Sequence, residues 1–158
     1  MKVLGVDPGI SGGWALLCPD PKTIIACGHL PTLPRARKGN KLNPHQLLSC
    51  WHDLGRIDLA VIEHAQAMPG QGITSTFEYG RSFGTLEGVL AALNIPVQRA
   101  KPRDWKKRAG LIGADKDMGR AKVIDLFPER SDDFRLKKDG HKADAVLIAL
   151  YGVPEGTT

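Results

Sequence analysis

The sequence predicts an α/β fold in which five short strands are flanked by helices. The chain opens with an apolar run, residues 3–6, a turn rich in Gly, and a second apolar run, residues 14–17. Two apolar runs joined by such a turn are typical of a β-hairpin. Further along, residues 58–63 form a short continuous apolar run, whose length and flanks favour a buried, central and parallel strand. Stretches with the apolar spacing of helices lie between and after these strands.

Two more segments complete the predicted strands. Residues 23–30, TIIACGHL, follow the hairpin directly and would extend it into a three-stranded meander. Residues 95–99, IPVQR, form a fifth short strand after the longest predicted helix. The strands therefore divide into an N-terminal meander and two later strands that each follow a helix.

Four helices are predicted from caps and apolar spacing. The first begins at Asn43 and Pro44, because Asn is a good N-cap and Pro suits the first helical position. Gly55 would end that helix. The other three helices are expected over residues 77–94, 117–127 and 141–151.

The longest predicted helix carries three glycines, Gly80, Gly84 and Gly88, at intervals of four. Each Gly costs about 1 kcal/mol relative to Ala inside a helix, so close approach to a sheet or another helix would explain the stripe. Arg81 and Glu87 argue against the membrane version of this pattern. We expect the helix to pack on the sheet and to be a candidate for contact with a second subunit.

Composition indicates one globular domain over residues 1–158. No apolar run approaches the roughly 20 residues of a membrane span. The cysteines, Cys18, Cys27 and Cys50, include no C-x-x-C pair, which disfavours disulfides and structural zinc and fits a reducing compartment. A strand begins within a few residues of the start. We therefore expect no signal or transit peptide and no membrane attachment, and a location in the cytoplasm, either nucleoid-associated or, for a phage protein, in the host.

Positive charge is concentrated in two segments of a chain with a formal net charge of +5. Residues 98–142 hold 14 of the 22 Lys and Arg residues against 8 acidic residues. Residues 31–43 bring Arg35, Arg37 and Lys38 together in a Pro-rich stretch that we interpret as a mobile basic loop. An excess of this sign fits a polyanionic partner, and solubility is the simpler alternative for the loop.

Three carboxylates and a histidine stand at the ends of predicted buried elements. Asp7 and Glu63 each end an apolar strand. His141 and Asp144 lie three residues apart at the start of the last helix and therefore share a face. Carboxylates in such positions suit Mg²⁺ or Mn²⁺, and two ions about 4 Å apart can hydrolyse a phosphodiester. Local alternatives stay open: Asp7 would accept hydrogen bonds from the glycine-rich turn, and Asp139 could replace His141.

The order of these segments resembles the RuvC-like Holliday junction resolvases, and the ending is similar to plant chloroplast and phage-type members. The segments that carry the resemblance, besides the glycine-striped helix, are GVDPGISGG, VIEHA, WKKRAGLIGADK and HKADAVLIALYG. The resemblance implies a ribonuclease H-like fold with a five-stranded mixed sheet flanked by helices. It also implies a homodimeric, Mg²⁺-dependent endonuclease that nicks two strands of a four-way DNA junction symmetrically.

The resemblance assigns roles to particular residues. The positions that match metal ligands and catalytic residues are Asp7, Glu63, His141 and Asp144. They would hold two Mg²⁺ ions, with Mn²⁺ as a substitute. The two functional lysines of the family match Lys106 and Lys116, with Lys107 as an alternative to Lys106, and Lys116 is expected to be catalytic. The DNA-binding candidates are Lys106, Lys107, Lys116, Arg35, Arg37 and Lys38.

Three other classes of protein are weighed against junction resolution. The pre-16S rRNA processing nucleases also open with a D-x-G strand, but the WKK and ADK segments fit them poorly. A module that binds branched DNA without cutting it is possible on sequence grounds, although the complete set of acids argues against it. Sugar kinases and actin-like ATPases share the D-x-G element but need a second lobe, for which 158 residues leave no room.

Overall fold

Seven strands form two sheets in the computed structural model, which describes residues 1–36, 39–64, 66–67, 70–115 and 117–153. The strands are β1 (Val3–Asp7), β2 (Gly13–Pro19), β3 (Lys22–His29), β4 (Thr32–Pro34), β5 (Asn40–Leu42), β6 (Leu59–Glu63) and β7 (Val97–Ala100). The larger sheet has the order β3-β2-β1-β6-β7. Its first three strands pair antiparallel, whereas β6 and β7 run parallel to β1. The predicted fold class, a five-stranded mixed sheet with an N-terminal meander, is confirmed.

Helices flank this sheet, as predicted. They are α1 (Pro44–Asp53), α2 (Ile73–Ala92), α3 (Pro102–Arg108), α4 (Met118–Leu126) and α5 (Gly140–Tyr151), with 3₁₀-helices at Pro128–Phe134 and Lys137–Asp139. The start of α1 is capped by Asn43, whose side chain accepts a hydrogen bond of 3.2 Å from the backbone N–H of Gln46. Gly55 follows the helix with φ +74°, a conformation that favours glycine.

Three local elements differ from the predicted ones. Helix α2 begins at Ile73, four residues earlier than expected. Its first turn is exposed, so no pattern of buried apolar residues marks it in the sequence. Helix α3 lies in a segment interpreted only as basic, and Trp105 is the one buried residue inside it. The basic segment 31–43 contains the β4–β5 hairpin, which is anchored by buried Leu42.

Each face of the large sheet carries its own apolar core, because successive residues of a strand point to opposite faces. On one face, Leu4 and Val6 belong to a cluster that includes Leu47 of α1 and Leu86 of α2. On the other face, Val3 belongs to a cluster formed largely by α3, α4 and α5. Helix α2 therefore packs against the sheet, as expected.

Two glycines let α5 lie directly on β1 and β2. A Cβ atom on Gly5 would overlap the carbonyl oxygen of Ala145, and one on Gly13 would lie 2.7 Å from the backbone of His141. Gly13 is paired with Asp7 across the hairpin. The first turn of α5 is therefore held beside the carboxyl end of β1.

The glycine stripe of α2 does not make the close contact with the sheet that would have explained it. A Cβ atom added at Gly80, Gly84 or Gly88 would meet nothing within 4 Å in the described part of the chain. The helix uses its other side, with Leu86 and Leu90, to contact the core. The stripe therefore remains an open surface of the monomer. Among the described residues, no helix has the length and apolar character needed to cross a membrane.

Candidate active site

Two carboxylates stand next to each other at one edge of the sheet. Strands β1 and β6 are parallel neighbours whose register pairs Val6 with Ile62, so the next residues along them are Asp7 and Glu63. Each follows a run of buried residues that fixes its backbone. The carboxyl ends of β1 and β6 thus bring together two acids that lie 56 residues apart in the chain.

The first turn of α5 adds a histidine and a third carboxylate. The Nδ1 atom of His141 lies 2.7 Å from Oδ2 of Asp7, which is hydrogen-bond distance. Asp144 follows three residues later on the same face of the helix. Burial and the charges of Asp7 and Glu63, opposed by those of Lys106 and His141, together raise the pKa of Asp144 to about 6. Asp144 is therefore within electrostatic reach of both strand-end acids.

Glu63 is held by a hydrogen bond from a buried tryptophan. Burial raises its pKa, and the charge of Asp7 adds to that effect. The Nε1–H of Trp105 donates a hydrogen bond of 2.8 Å to Oε2 of Glu63. This hydrogen bond and the charge of Lys106 both lower the pKa of Glu63. Trp105 was not singled out from the sequence, where the WKK segment was interpreted through its lysines and as part of the family resemblance.

Tyr79 is a second residue that sequence reasoning missed. It comes from α2, and burial together with the charges of Glu63 and Asp7 raises its pKa to about 12. Tyr79 is also the side chain nearest to Gly9 in the turn after β1. Its phenol stays neutral at physiological pH and borders the acids from the side opposite to α5. Nothing in the local sequence of α2 marks it.

The structure distinguishes the two lysines of the WKK segment. Lys106 lines a cavity of about 330 Å³ together with His141 and Asp144. Its charge lowers the pKa of both Glu63 and Asp144. Lys107, one residue further along α3, is exposed to solvent. Lys106 therefore faces the acids, whereas Lys107 belongs to the outer surface.

His141 and Asp139 differ in their contacts. Asp139 is buried and accepts a 2.8 Å hydrogen bond from the backbone N–H of Leu136. Its other oxygen lies 3.1 Å from Nζ of Lys142 and 3.3 Å from Nε2 of His29. Asp139 thus stabilises the turn before α5, and it is His141 that contacts Asp7.

The remaining DNA-binding candidates are only partly described. Arg35 forms an ion pair with Glu78 of α2, and Arg81 lies 2.9 Å from the same carboxylate. This contact joins the basic hairpin to α2. The other candidates in this group, Arg37, Lys38 and Lys116, lie outside the described residues.

The donor set fits a hard divalent cation in its chemistry. Three carboxylates and an imidazole converge on one end of the sheet, and like charge raises the pKa of two of the acids, an effect that a cation would relieve. In the described part of the chain, however, no group of three or more His, Cys, Asp or Glu side chains is close enough to form a metal site as it stands. The metal-ligand assignment therefore stays a prediction.

Comparison with known proteins gives one similar sequence. No protein-family model matches the chain. The chain is 33% identical over 93 residues to the chloroplastic Holliday junction resolvase MOC1 of Chlamydomonas reinhardtii, a match that covers 58% of this chain. The match spans only 10% of the length of that relative.

Comparison with solved structures defines the fold class. The chain is similar to T. thermophilus RuvC in complex with Holliday junction substrate, with a TM-score of 0.64 and 18% identity over 96% of this chain and 91% of that chain. A second Thermus thermophilus RuvC structure matches with a TM-score of 0.57, 19% identity, and 96% and 92% coverage. The fowlpox virus Holliday junction resolvase matches with a TM-score of 0.54, 18% identity, and 95% coverage of both chains. The chain has a RuvC-like, ribonuclease H-like fold. The resemblance to Holliday junction resolvases predicted from the sequence is confirmed.

Proposed function

We propose that this protein is a structure-specific endonuclease that resolves four-way DNA junctions by paired symmetric nicks. One observation carries the proposal: Asp7, Glu63, His141 and Asp144, from three distant parts of the chain, converge at one end of a RuvC-like sheet. The sequence similarity to a resolvase adds independent support. Within this proposal, residues 1–158 act as one nuclease domain.

The four converging residues would hold two Mg²⁺ ions, or Mn²⁺ in their place. When bound, such ions activate a water molecule and stabilise the leaving oxygen of a phosphodiester. Asp7 and Glu63 supply oxygen ligands from rigid strands, and Asp144 supplies one from α5. His141 holds the Asp7 carboxylate through the contact at Nδ1 and is a further ligand through its ring.

The lysines divide between catalysis and DNA binding. Lys106 faces Glu63 and Asp144 and would stabilise negative charge that develops at the scissile phosphate. Lys107, Arg35, Arg37 and Lys38 would contact backbone phosphates, and such contacts give affinity without sequence readout. Lys116 keeps its proposed catalytic role on the strength of the ADK motif alone.

The protein is proposed to act as a homodimer. The stripe of Gly80, Gly84 and Gly88 makes no close contact with the rest of the described chain, and exposed Phe77 and Ile73 extend this surface towards the start of α2. A two-fold dimer through this face would present two active sites to two symmetric strands. The three cysteines are free, in keeping with action on DNA in a reducing compartment such as a bacterial or phage-host cytoplasm.

Cleavage of a synthetic four-way junction tests the proposal. Each strand is labelled in turn, and Mg²⁺, Mn²⁺ or EDTA is added, with linear duplex and structured RNA as control substrates. We expect symmetric nicks in two opposing strands of the junction with either metal, and none in EDTA. Asp7→Asn should abolish cutting but retain junction binding.

Three outcomes would contradict the proposal, each in its own way. Preferential cutting of structured RNA would favour an rRNA-processing nuclease. Junction binding without cleavage under any metal condition would favour a binding module. Unchanged cleavage by the Asp7→Asn variant would discard the assigned active site.

A further inference from the structure

A buried tryptophan contacts one of the carboxylates of the candidate active site. The side chain of Trp105 is 1% exposed, yet its Nε1–H reaches Oε2 of Glu63 at 2.8 Å. Glu63 is fixed at its backbone, because β6 pairs with β1 on one side and with β7 on the other. Its side chain has three rotatable bonds of its own, so the indole contact is what restricts the carboxylate.

The donor is itself held by the framework of the protein. Helix α3 is attached to the far end of α5 by Arg108, whose Nε donates 2.6 Å to the carbonyl of Tyr151 and whose Nη2 donates 3.3 Å to that of Gly152. One turn beyond Trp105, Ala109 is buried in the same core. The position of the indole N–H is therefore set before any DNA or metal arrives.

We propose that Trp105 is a positioning residue that fixes Glu63 as a ligand through a single oxygen. With Oε2 occupied by the indole N–H, Oε1 is the oxygen left to bind an ion, and chelation through both oxygens is disfavoured. This inference rests on the proposed function, because it assigns Trp105 to the metal chemistry of that site.

Ion selectivity is the expected consequence. Mg²⁺ requires near-ideal octahedral geometry and accepts carboxylates through one oxygen, whereas Ca²⁺ tolerates two-oxygen chelation and irregular geometry. A carboxylate held through one oxygen suits the first ion better than the second. Loss of the indole N–H should therefore weaken Mg²⁺ binding more than Ca²⁺ binding.

The simpler alternative is that Trp105 is only a core residue whose N–H found a convenient acceptor. The chain offers a matched control in Trp51, which is 0% exposed and lies in the core of the opposite sheet face. In the described part of the chain, Nε1 of Trp51 has no hydrogen-bond partner. Both Trp→Phe changes should lower stability, and only the change at Trp105 should alter metal binding.

The main experiment titrates metal into protein without DNA and then measures junction cleavage against Mg²⁺ concentration. The variants are Trp105→Phe, Trp51→Phe and replacement of Trp105 by 3-benzothienylalanine, which keeps the bicyclic shape and removes the donor. We expect both changes at Trp105 to raise the half-saturating Mg²⁺ concentration by about tenfold or more, the range seen when outer partners of metal ligands are removed. Ca²⁺ binding should change less, and cleavage at saturating Mg²⁺ should return close to the wild-type rate.

A spectroscopic measurement covers the case in which a Trp105 variant does not fold. The three tryptophans give three indole N–H signals in a ¹H–¹⁵N spectrum of the metal-free protein. Glu63→Ala removes the acceptor, so the Trp105 signal should shift strongly while that of Trp51 stays in place.

The outcomes separate this inference from the proposed function. If the wild-type protein binds no Mg²⁺ and cuts no junction, both are overturned. If the wild-type protein does both and the Trp105 variants match Trp51→Phe, only the positioning role of Trp105 is overturned. If the Trp105 indole signal does not shift in the Glu63→Ala variant, the positioning role alone is likewise overturned.

Discussion

Replacing Asp144 by Asn should stabilise the protein at neutral pH while abolishing its proposed activity. Burial, aided by the charges of Asp7 and Glu63, raises the pKa of Asp144 from the ordinary value of 3.8 to about 6. Because the folded state holds this proton more tightly than the unfolded chain, stability falls as the pH rises from about 4 to about 6. Above about pH 6, Asp144 is ionised in the folded protein, and its burial beside two other carboxylates lowers the free energy of unfolding by the full amount.

The pKa difference sets the size of the effect. A shift of about two pKa units corresponds to about 3 kcal/mol, and solvent access makes this an upper value. Asn keeps the shape of the side chain without the charge, so we expect a gain of about 1–3 kcal/mol at pH 7.5. For a domain of this size, each kcal/mol shifts the melting temperature by about 2–4 °C.

Thermal and urea unfolding of metal-free protein at pH 7.5 and pH 4 provide the assay. Asp144→Asn should be more stable than wild type at pH 7.5, with most of the difference gone at pH 4. Mg²⁺ should stabilise the wild-type protein and leave the variant unchanged. Asp125→Asn, on an exposed position of α4, is the matched control and should change stability little at either pH. A variant no more stable than wild type at pH 7.5, or a gain of equal size at pH 4, would refute the reasoning.

Three further predictions test other parts of the molecule. Lys106→Ala should lower the single-turnover cleavage rate by about 10²-fold. Lys107→Ala should weaken junction binding and reduce the salt dependence of that binding in a salt titration. Equal effects of the two variants in both assays would contradict the assignment. Gly84→Leu should convert a dimer into a folded monomer in light scattering, and an unchanged mass would remove α2 from the interface. Gly5→Ala should prevent α5 from docking, because its Cβ would overlap Ala145, and a native melting curve would show that the helix can move away.

Local patterns in the sequence were sufficient for the five strands of the large sheet and for the acids that end two of them, whereas the short β4–β5 hairpin was missed. Asp7 and Glu63 were identified because each follows an apolar run, and burial of a strand is a property of its own residues. The shared face of His141 and Asp144 likewise follows from helical spacing alone. The glycine stripe on α2 was also visible, with close approach to a sheet or another helix as its expected reason, and in the described part of the chain the stripe makes no such contact.

Only the tertiary structure shows which distant segments of the chain lie next to each other. The parallel pairing of β1 with β6 brings Asp7 beside Glu63, and the small size of Gly5 and Gly13 brings α5 down onto them. The choice of Lys106 over Lys107 likewise depends on how α3 packs. Such choices depend on core packing across the whole chain, which no local spacing records.

The sequence by itself thus determined which residues could do chemistry, and the fold decided which of them meet. Trp105 and Tyr79 show the difference most clearly, because the sequence around each of them is that of an ordinary core or surface aromatic residue. Their contact or electrostatic coupling with the acids arises from helices packed against opposite sides of the strand ends. Asp139 shows the converse. Its sequence position made it an alternative to His141, and in the structure its carboxylate contacts Lys142 and His29 in the turn before α5.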